Sequence, residues 1–414
     1  MSRLRSVGVL AAGTAASQLI AFAVAPLLGR LYLPVDFGLL GVFVSIASMA
    51  AVVVTLRLDL AVVVPESDDV AMDVIGVGVL ATTVMVALST VLVVVGGGLL
   101  GRLLGEPGVV PLLALLPMYL GATGVNQMLN FWSTRTSHFA RLSVTELTRG
   151  ATVAGVQLLG GYLRSGAFGL AGGQVVGQTV AAGSLVARVA RSHPSLFTRR
   201  WDLASVRRVI GEFKSFVIFG TPQSLVNALN QGLPAFVLTV TFDAGIAGHY
   251  LMAQRLLAAP ISLMGRSTRQ VLYPQLSRAM ADGSAFRVAL RATFLLALVS
   301  LVPVALVVAA GPAIYQFVLG REWLLAGEFS RYLVLWLAVA FVNIPSVSLV
   351  PLLEMQRWHA SYEVVYLCAR LAALLIGGST GDPVTGIVLF SLVGVAFNLV
   401  LICVPLLRLR ARSG

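Results

Sequence analysis

The sequence predicts an all-α polytopic membrane protein with about twelve transmembrane helices in two six-helix lobes related as parallel repeats, and three observations carry this reading. Hydrophobic residues make up 58% of the 414 positions and charged residues only 11%, with a mean hydropathy of +0.92, far from the balance of a water-soluble domain. A helix needs about 20 apolar residues to cross the hydrocarbon, and such stretches recur at 6–29, 37–57, 70–95, 109–131, 144–163, 167–190, 213–242, 246–272, 287–310, 329–350, 358–377 and 384–407. The basic residues alternate between loops: 22 of the 29 lie in one set, comprising Arg3 and Arg5, Arg57, Arg135 to Arg149, Arg188 to Lys214, Arg266 to Arg291, Arg357, and Arg408 to Arg412. This is the positive-inside pattern. It predicts a multi-pass protein of the plasma (inner) membrane with both termini cytoplasmic, and it accounts for the net charge of +12 without a nucleic-acid partner.

Taken in order, Met-Ser-Arg-Leu-Arg opens an apolar run too long for the core of a signal peptide, so an uncleaved first span is expected. Pro34 and Gly38 make a tight outer turn into span two. At its end, Arg57 and Asp59 are read either as snorkelling charges or as a gate or coupling-ion site. Asp68, Asp69 and Asp73 complement the positive end of the next helix dipole; their spacing departs from the paired aspartate motifs that hold magnesium in membrane prenyltransferases. Span four places Tyr119, Thr123, Asn126 and Asn130 in a narrow arc. Gly169, Gly173 and Gly177 in span six recur at the four-residue period that lets helices pack closely. The polar, basic stretch 191–212 reads as a cytoplasmic connector between an N-terminal lobe, 1–190, and a C-terminal lobe, 213–414. Asp36-Phe-Gly-Leu-Leu-Gly recurs as Asp243-Ala-Gly-Ile-Ala-Gly, and Leu100-Gly-Arg as Leu319-Gly-Arg, at corresponding places in the two halves. A site between the lobes is therefore expected.

The candidate site residues lie mainly in the second half. Gln223, Asn227, Asn230 and Gln231 fall within about a quarter of the circumference of span seven, and such a stripe in lipid lines either a cavity or a helix contact; a cavity is the preferred reading. Span eight carries Gln254 and Arg255 deep in the hydrocarbon, and span eleven puts Tyr362, Glu363, Tyr366 and Arg370 on one face. Buried arginines need a partner or water. Either Arg370 pairs with Glu363, or Arg255 and Arg370 receive an anion, for which the guanidinium fork suits phosphate oxygens. Cys368 and Cys403 lie within spans and are read as packing residues.

Gly29-Arg-Leu-Tyr-Leu-Pro-Val-Asp-Phe-Gly, Leu56-Arg-Leu-Asp-Leu-Ala, Thr221-Pro with Asn227, Tyr250 with Ala253-Gln-Arg-Leu-Leu, Pro260 with Gly265, and Gly320-Arg-Glu-Trp together resemble the Wzx-type polysaccharide flippases of the multidrug/oligosaccharidyl-lipid/polysaccharide exporter superfamily. The resemblance implies a V-shaped pair of lobes, alternating access without a covalent intermediate, and a polyprenyl-diphosphate-linked oligosaccharide repeat unit as substrate for surface polysaccharide biosynthesis. On that reading Arg255 and Arg370 take the diphosphate. Asn126, Asn130, Gln223, Asn227, Asn230, Gln231, Gln254, Tyr362 and Tyr366 take the sugar, and Asp59 or Glu363 acts as gate or proton or sodium site. No metal or other cofactor is implied; membrane lipids and the polysaccharide polymerase machinery are the further partners. Two readings stay open beside it: a cation-coupled drug antiporter of the same superfamily, kept by Glu363, and a membrane enzyme, either prenyltransferase or polymerase, which would show paired aspartate motifs or a large outer loop.

Overall fold

The computed structural model describes residues 3–198 and 203–413, apart from some side chains, those of Gln223 and Arg266 among them. Helices account for 90% of the chain and no strand occurs among the described residues. Among the described residues twelve long helices follow one another: α1 (Arg3–Leu31), α2 (Pro34–Val53), α3 (Asp68–Leu104), α4 (Leu116–Arg135), α5 (Phe139–Tyr162), α6 (Gly166–Ser192), α7 (Thr221–Thr241), α8 (Ala244–Ala281), α9 (Ala285–Leu319), α10 (Leu324–Val342), α11 (Gln356–Ser379) and α12 (Pro383–Ser413).

Their ends follow from side chains. Asp36, in the first turn of α2, accepts from the Leu33 amide at 2.9 Å, behind Pro34 at the first helical position. Ser67 caps α3 through the Asp69 amide at 3.2 Å, and Gly105, at φ 65°, ends it in the left-handed region. Asp243 caps α8 through the Ile246 amide at 2.8 Å. The aspartates of the two related motifs thus both stabilise a helix start, one from inside the first turn and one from the cap itself.

Among the described residues, eight segments are long and apolar enough on their own to cross a membrane: Ala12–Leu31, Pro34–Val53, Asp68–Leu99, Val109–Arg135, Ala285–Leu319, Arg321–Val342, Gln356–Ser379 and Pro383–Ala411. The helices in the middle of the chain, α5 to α8, are less apolar because they carry Glu146, Arg149, Gln157, Gln174, Gln178, the α7 amides and Arg255. Outward faces are apolar: Val95 is 80% exposed and Phe317 82%, as lipid-facing side chains should be. Cys368 and Cys403 are both exposed and unpaired, which corrects their reading as packing residues; a thiol on an outer helix face is tolerated in lipid as a small apolar group.

Three expected spans are broken. The segment 37–57 stops at Val53, and Leu56 and Arg57 take φ of 52° and 60° before the short helix Leu58–Ala61. Residues 109–131 divide into Val109–Leu113 and α4, and 329–350 divides at Asn343 into α10 and Ile344–Leu352, with Pro345 opening the second piece. A π-helical turn, Phe216–Gly220, precedes α7.

By packing, the chain forms two units, residues 1–236 and 237–414. In the first, α6 lies on α5 through its glycine stripe: a Cβ at Gly169 would stand 3.0 Å from the Gly160 Cα, and one at Gly173 would stand 2.5 Å from Gln157 Cγ and 3.2 Å from the Val153 carbonyl. The cluster of Leu58, Val74, Met128, Trp132, Leu185 and Val209 joins α3, α4, α6 and the helix Leu203–Glu212. Arg135 staples the entry to α3, its Nε 2.9 Å from Asp68 Oδ1 and its terminal nitrogens donating to the carbonyls of Val62, Pro65 and Glu66. Asp68 is therefore engaged by the protein itself.

Gly173→Leu should lower the thermal midpoint of the detergent-solubilised protein, since overpacking costs about 1–3 kcal/mol. Gly172→Leu, where a Cβ meets nothing within 4 Å, should leave it in place. Equal midpoints for both variants in a fluorescence size-exclusion melt would contradict the α5–α6 packing.

Candidate functional site

In the C-terminal unit, the region around Arg370 stands out. Arg370 is only 7% exposed, and its guanidinium carbon lies 4.0 Å from the Phe390 ring centroid, 4.2 Å from Trp336 and 5.1 Å from Tyr366. Tyr250, fully buried with an unpartnered hydroxyl, packs edge-on against Phe390 at 5.9 Å. The helices make this box with small residues: at Gly394 a Cβ would stand 2.5 Å from Trp336 Cδ1, so only glycine lets the indole lie against α12. Ring faces attract a guanidinium, yet they accept no conventional hydrogen bond. Arg370 Nε is buried without a partner, and among the described residues no carboxylate pairs with the side chain. Glu363, the pairing candidate in sequence, instead lies 3.6 Å from His359 Nε2.

One turn away the aromatic ladder continues. Tyr362 and Tyr366 flank Phe397 at 5.6 and 5.1 Å, and the Tyr362 hydroxyl donates to the Phe397 carbonyl at 2.5 Å. Asn398 donates to Gly394 O at 2.7 Å and to the Tyr366 hydroxyl at 3.4 Å, and accepts from Asn343 at the break after α10. Gln254 and Arg255 on α8 are half-buried in the same unit. Beside α8, an apolar cavity of about 300 Å³ is lined by Leu257, Pro260, Met264, Pro303 and Phe341 among others. A second cavity of about 540 Å³ shares Ile261 and Phe341 with it and adds Ser262, Arg269 and Gln270.

The N-terminal unit holds a different arrangement. Asp59 is 2% exposed; Thr55 Oγ1 donates to its Oδ1 at 2.9 Å, and Arg57 Nη1 stands 3.7 Å from its Oδ2. Thr55 is also 3.3 Å from Gln127 Oε1, and Gln127 Nε2 donates to the Ala51 carbonyl at 3.2 Å, across the broken end of α2. Two successive left-handed residues cost about 1–2 kcal/mol each, a strain typical of functional sites. The π turn before α7 faces this break: a Cβ at Gly220 would touch Arg57 Cβ at 3.7 Å.

The predicted stripes divide in their surroundings. Asn126 is 3% exposed and accepts from Asn130 Nδ2 at 2.7 Å. On α7, Asn227 and Gln231 are exposed, Asn230 is half-buried with an unpartnered Oδ1, and Gly232 meets α2 through its carbonyl, 2.9 Å from Ser45 Oγ; the Gln223 side chain lies outside the description. The structure brings Tyr362, Tyr366 and Arg370 together, and Asn126 with Asn130. Asp59 and Glu363 belong to different units. Trp336, Phe390, Asn343 and Asn398 were missed by the sequence reading. Asn343 had a signal, since Asn343-Ile-Pro345 is a helix-stop pattern inside an apolar run; Trp336 and Phe390 read as ordinary core.

A family profile described as "Polysaccharide biosynthesis protein" matches residues 27–328. The chain belongs to that family. No curated protein sequence matches it. Among solved structures, this polysaccharide biosynthesis protein is similar to the lipid II flippase MurJ in an inward closed conformation, with a TM-score of 0.75 and 12% identity over 98% of this chain and 90% of that one. It is also similar to an inward-facing multidrug resistance MATE family transporter of the MOP superfamily, with a TM-score of 0.59, 11% identity and 99% of each chain. A MOP superfamily transporter from Pyrococcus furiosus, described by a reversed polarity of its binding pocket, matches with a TM-score of 0.57 and 11% identity over 100% and 97%. At these identities the likeness is one of fold.

With Cys368 and Cys403 replaced by serine, Asn227→Cys and Gln231→Cys should react with a membrane-impermeant maleimide at least about tenfold faster than Asn126→Cys, as exposure dictates. Protection of 227 and 231 equal to that of 126 would show a stripe sealed in a helix contact.

Proposed function

We propose that this protein flips a polyprenyl-diphosphate-linked oligosaccharide repeat unit across the inner membrane, by alternating access, for surface polysaccharide biosynthesis. The observation that carries the reading is Arg370: a guanidinium buried among three rings, with no carboxylate in reach among the described residues. A buried cation costs several kcal/mol unless charge or water compensates it, and a passing diphosphate supplies that charge in the fork geometry arginine favours. Arg255 joins it in holding the diphosphate. The amides of Asn126, Asn130, Gln223, Asn227, Asn230, Gln231 and Gln254 and the hydroxyls of Tyr362 and Tyr366 offer the donors and acceptors that sugar hydroxyls require. The apolar cavity along α8 suits a segment of isoprenoid chain, and Arg269 and Gln270 beside it suit a polar end. No bond is cleaved, so the protein acts as a transporter. Both termini lie in the cytoplasm on this reading, and polymerase machinery receives the product.

The cation-coupled antiporter is the second reading, because MATE transporters share the fold. It needs carboxylates free to hold a cation, whereas Asp59 already faces Arg57 and Glu363 faces His359. These two groups serve a narrower role here, as gate or as site for a coupling proton or sodium ion.

Proteoliposomes loaded with a fluorescent polyprenyl-diphosphate oligosaccharide test the proposal. Wild-type protein should move it across the bilayer; Arg255→Ala and Arg370→Ala should each slow movement by about tenfold or more, the loss of one charged hydrogen-bonding group. Arg370→Lys checks that any loss is not one of folding. Unaltered movement in both alanine variants would remove the anion site, and efflux of cationic dyes against a proton or sodium gradient by a protein that moves no lipid would establish the antiporter.

A further inference from the structure

The first turn of α5 and the last turns of α6 hold two arginines against each other. Arg188 Nη1 donates to the Arg141 carbonyl at 3.5 Å and to Thr145 Oγ1 at 3.2 Å, and Arg141 Nη2 donates to Ser192 Oγ at 3.0 Å. His193 follows directly; its ring is edge-on to His138 at 6.1 Å and to Trp132 at 5.4 Å. Among the described residues neither arginine forms an ion pair, and the nearby Glu146 is taken by Arg149 at 3.1 Å. Arg141 Nη1 and His193 Nε2 are buried with no hydrogen-bond partner among the described residues. Burial, and after it the charge of Arg188, pushes the Arg141 guanidinium down from its ordinary pKa; burial, and after it Arg141 and His193, does the same to His138. Two guanidinium groups and two unpartnered nitrogens therefore converge on one spot to which the described residues bring no anion.

We infer that Arg141, Arg188 and His193 form a binding site for the phosphate of an anionic phospholipid headgroup, separate from the arginines assigned to the transported substrate. The chemistry fits: a phosphodiester carries the missing charge and several acceptor oxygens, and paired guanidinium groups meet it with parallel hydrogen bonds. Basic pockets between helices at the cytoplasmic surface are a recognised mode of lipid capture, and the positive-inside pattern puts this end of α5 and α6 there. The choice of a lipid over a soluble phosphate rests on what adjoins the arginines. Val144 and Leu147, one and two turns along α5 from Arg141, are 47% and 40% exposed, so the site continues into an apolar strip that acyl chains cover and free phosphate does not.

The test compares the purified protein in nanodiscs of phosphatidylcholine alone and of phosphatidylcholine with phosphatidylglycerol. The wild-type thermal midpoint should rise with phosphatidylglycerol, and native mass spectrometry should show that lipid retained. The Arg141→Gln, Arg188→Gln double variant should melt like wild type in phosphatidylcholine, gain nothing from phosphatidylglycerol, and retain about tenfold less of it, as the loss of two surface charges implies. If the double variant does not fold, Arg141→Gln alone is compared in the same way. An unchanged midpoint shift and unchanged retention overturn the site. An equal shift produced in phosphatidylcholine by inorganic phosphate also overturns it, by reassigning the pocket to a soluble anion.

Discussion

Hydrocarbon leaves a guanidinium few ways to be housed, and the C-terminal unit is built around one of them. Arg370 lies in a helix long and apolar enough to cross a membrane, with ring faces on its sides and no carboxylate partner among the described residues. Trp336 reaches it from α10, Tyr366 from one turn earlier on α11, and Phe390 from α12; Gly394 gives the indole room, and Asn398 ties α12 to Tyr366 and to the break at Asn343. Ring quadrupoles lower the cost of the charge without neutralising it. A side chain paired with Glu363 would have been cheaper for folding alone, and the chain does not use that option.

The N-terminal unit handles its charge differently. Arg57 and Asp59 face each other across a backbone that is left-handed at Leu56 and Arg57, and Thr55 and Gln127 hold the carboxylate and the broken helix end in place. This pair is locally neutral and strained, whereas Arg370 is unstrained and uncompensated. On the proposed function that contrast fits an anionic cargo, because Asp59 already faces Arg57 and Glu363 lies beside His359, while Arg370 has no carboxylate partner among the described residues.

Much of this was legible in the residues. Composition and the alternation of arginines gave an all-α membrane protein, and the period of Gly169, Gly173 and Gly177 gave a close helix contact, whose partner the structure shows to be α5. The clustering of Tyr362, Tyr366 and Arg370 on one face was also visible, because a helix fixes which side chains share a side. What helical periodicity cannot show is which neighbouring helix supplies the fourth wall: Trp336 and Phe390 are far away in sequence and look like any apolar core residue. The breaks at Leu56 and Asn343 are not periodic features either, although Arg57 and Asp59 mark the first and Pro345 the second. Cys368 and Cys403 were misplaced for a related reason. In a span that is apolar all round, hydropathy does not distinguish a face turned to lipid from one turned to protein.

If Arg370 and Arg255 receive the diphosphate as proposed, a binding measurement shows it without altering the protein. Calorimetric titration of the purified protein should give an affinity for a polyprenyl-diphosphate oligosaccharide at least about 100-fold higher than for the same molecule ending in the neutral polyprenyl alcohol, the difference that two charge-assisted hydrogen-bonding groups make. Equal affinities for the charged and neutral molecules would contradict it.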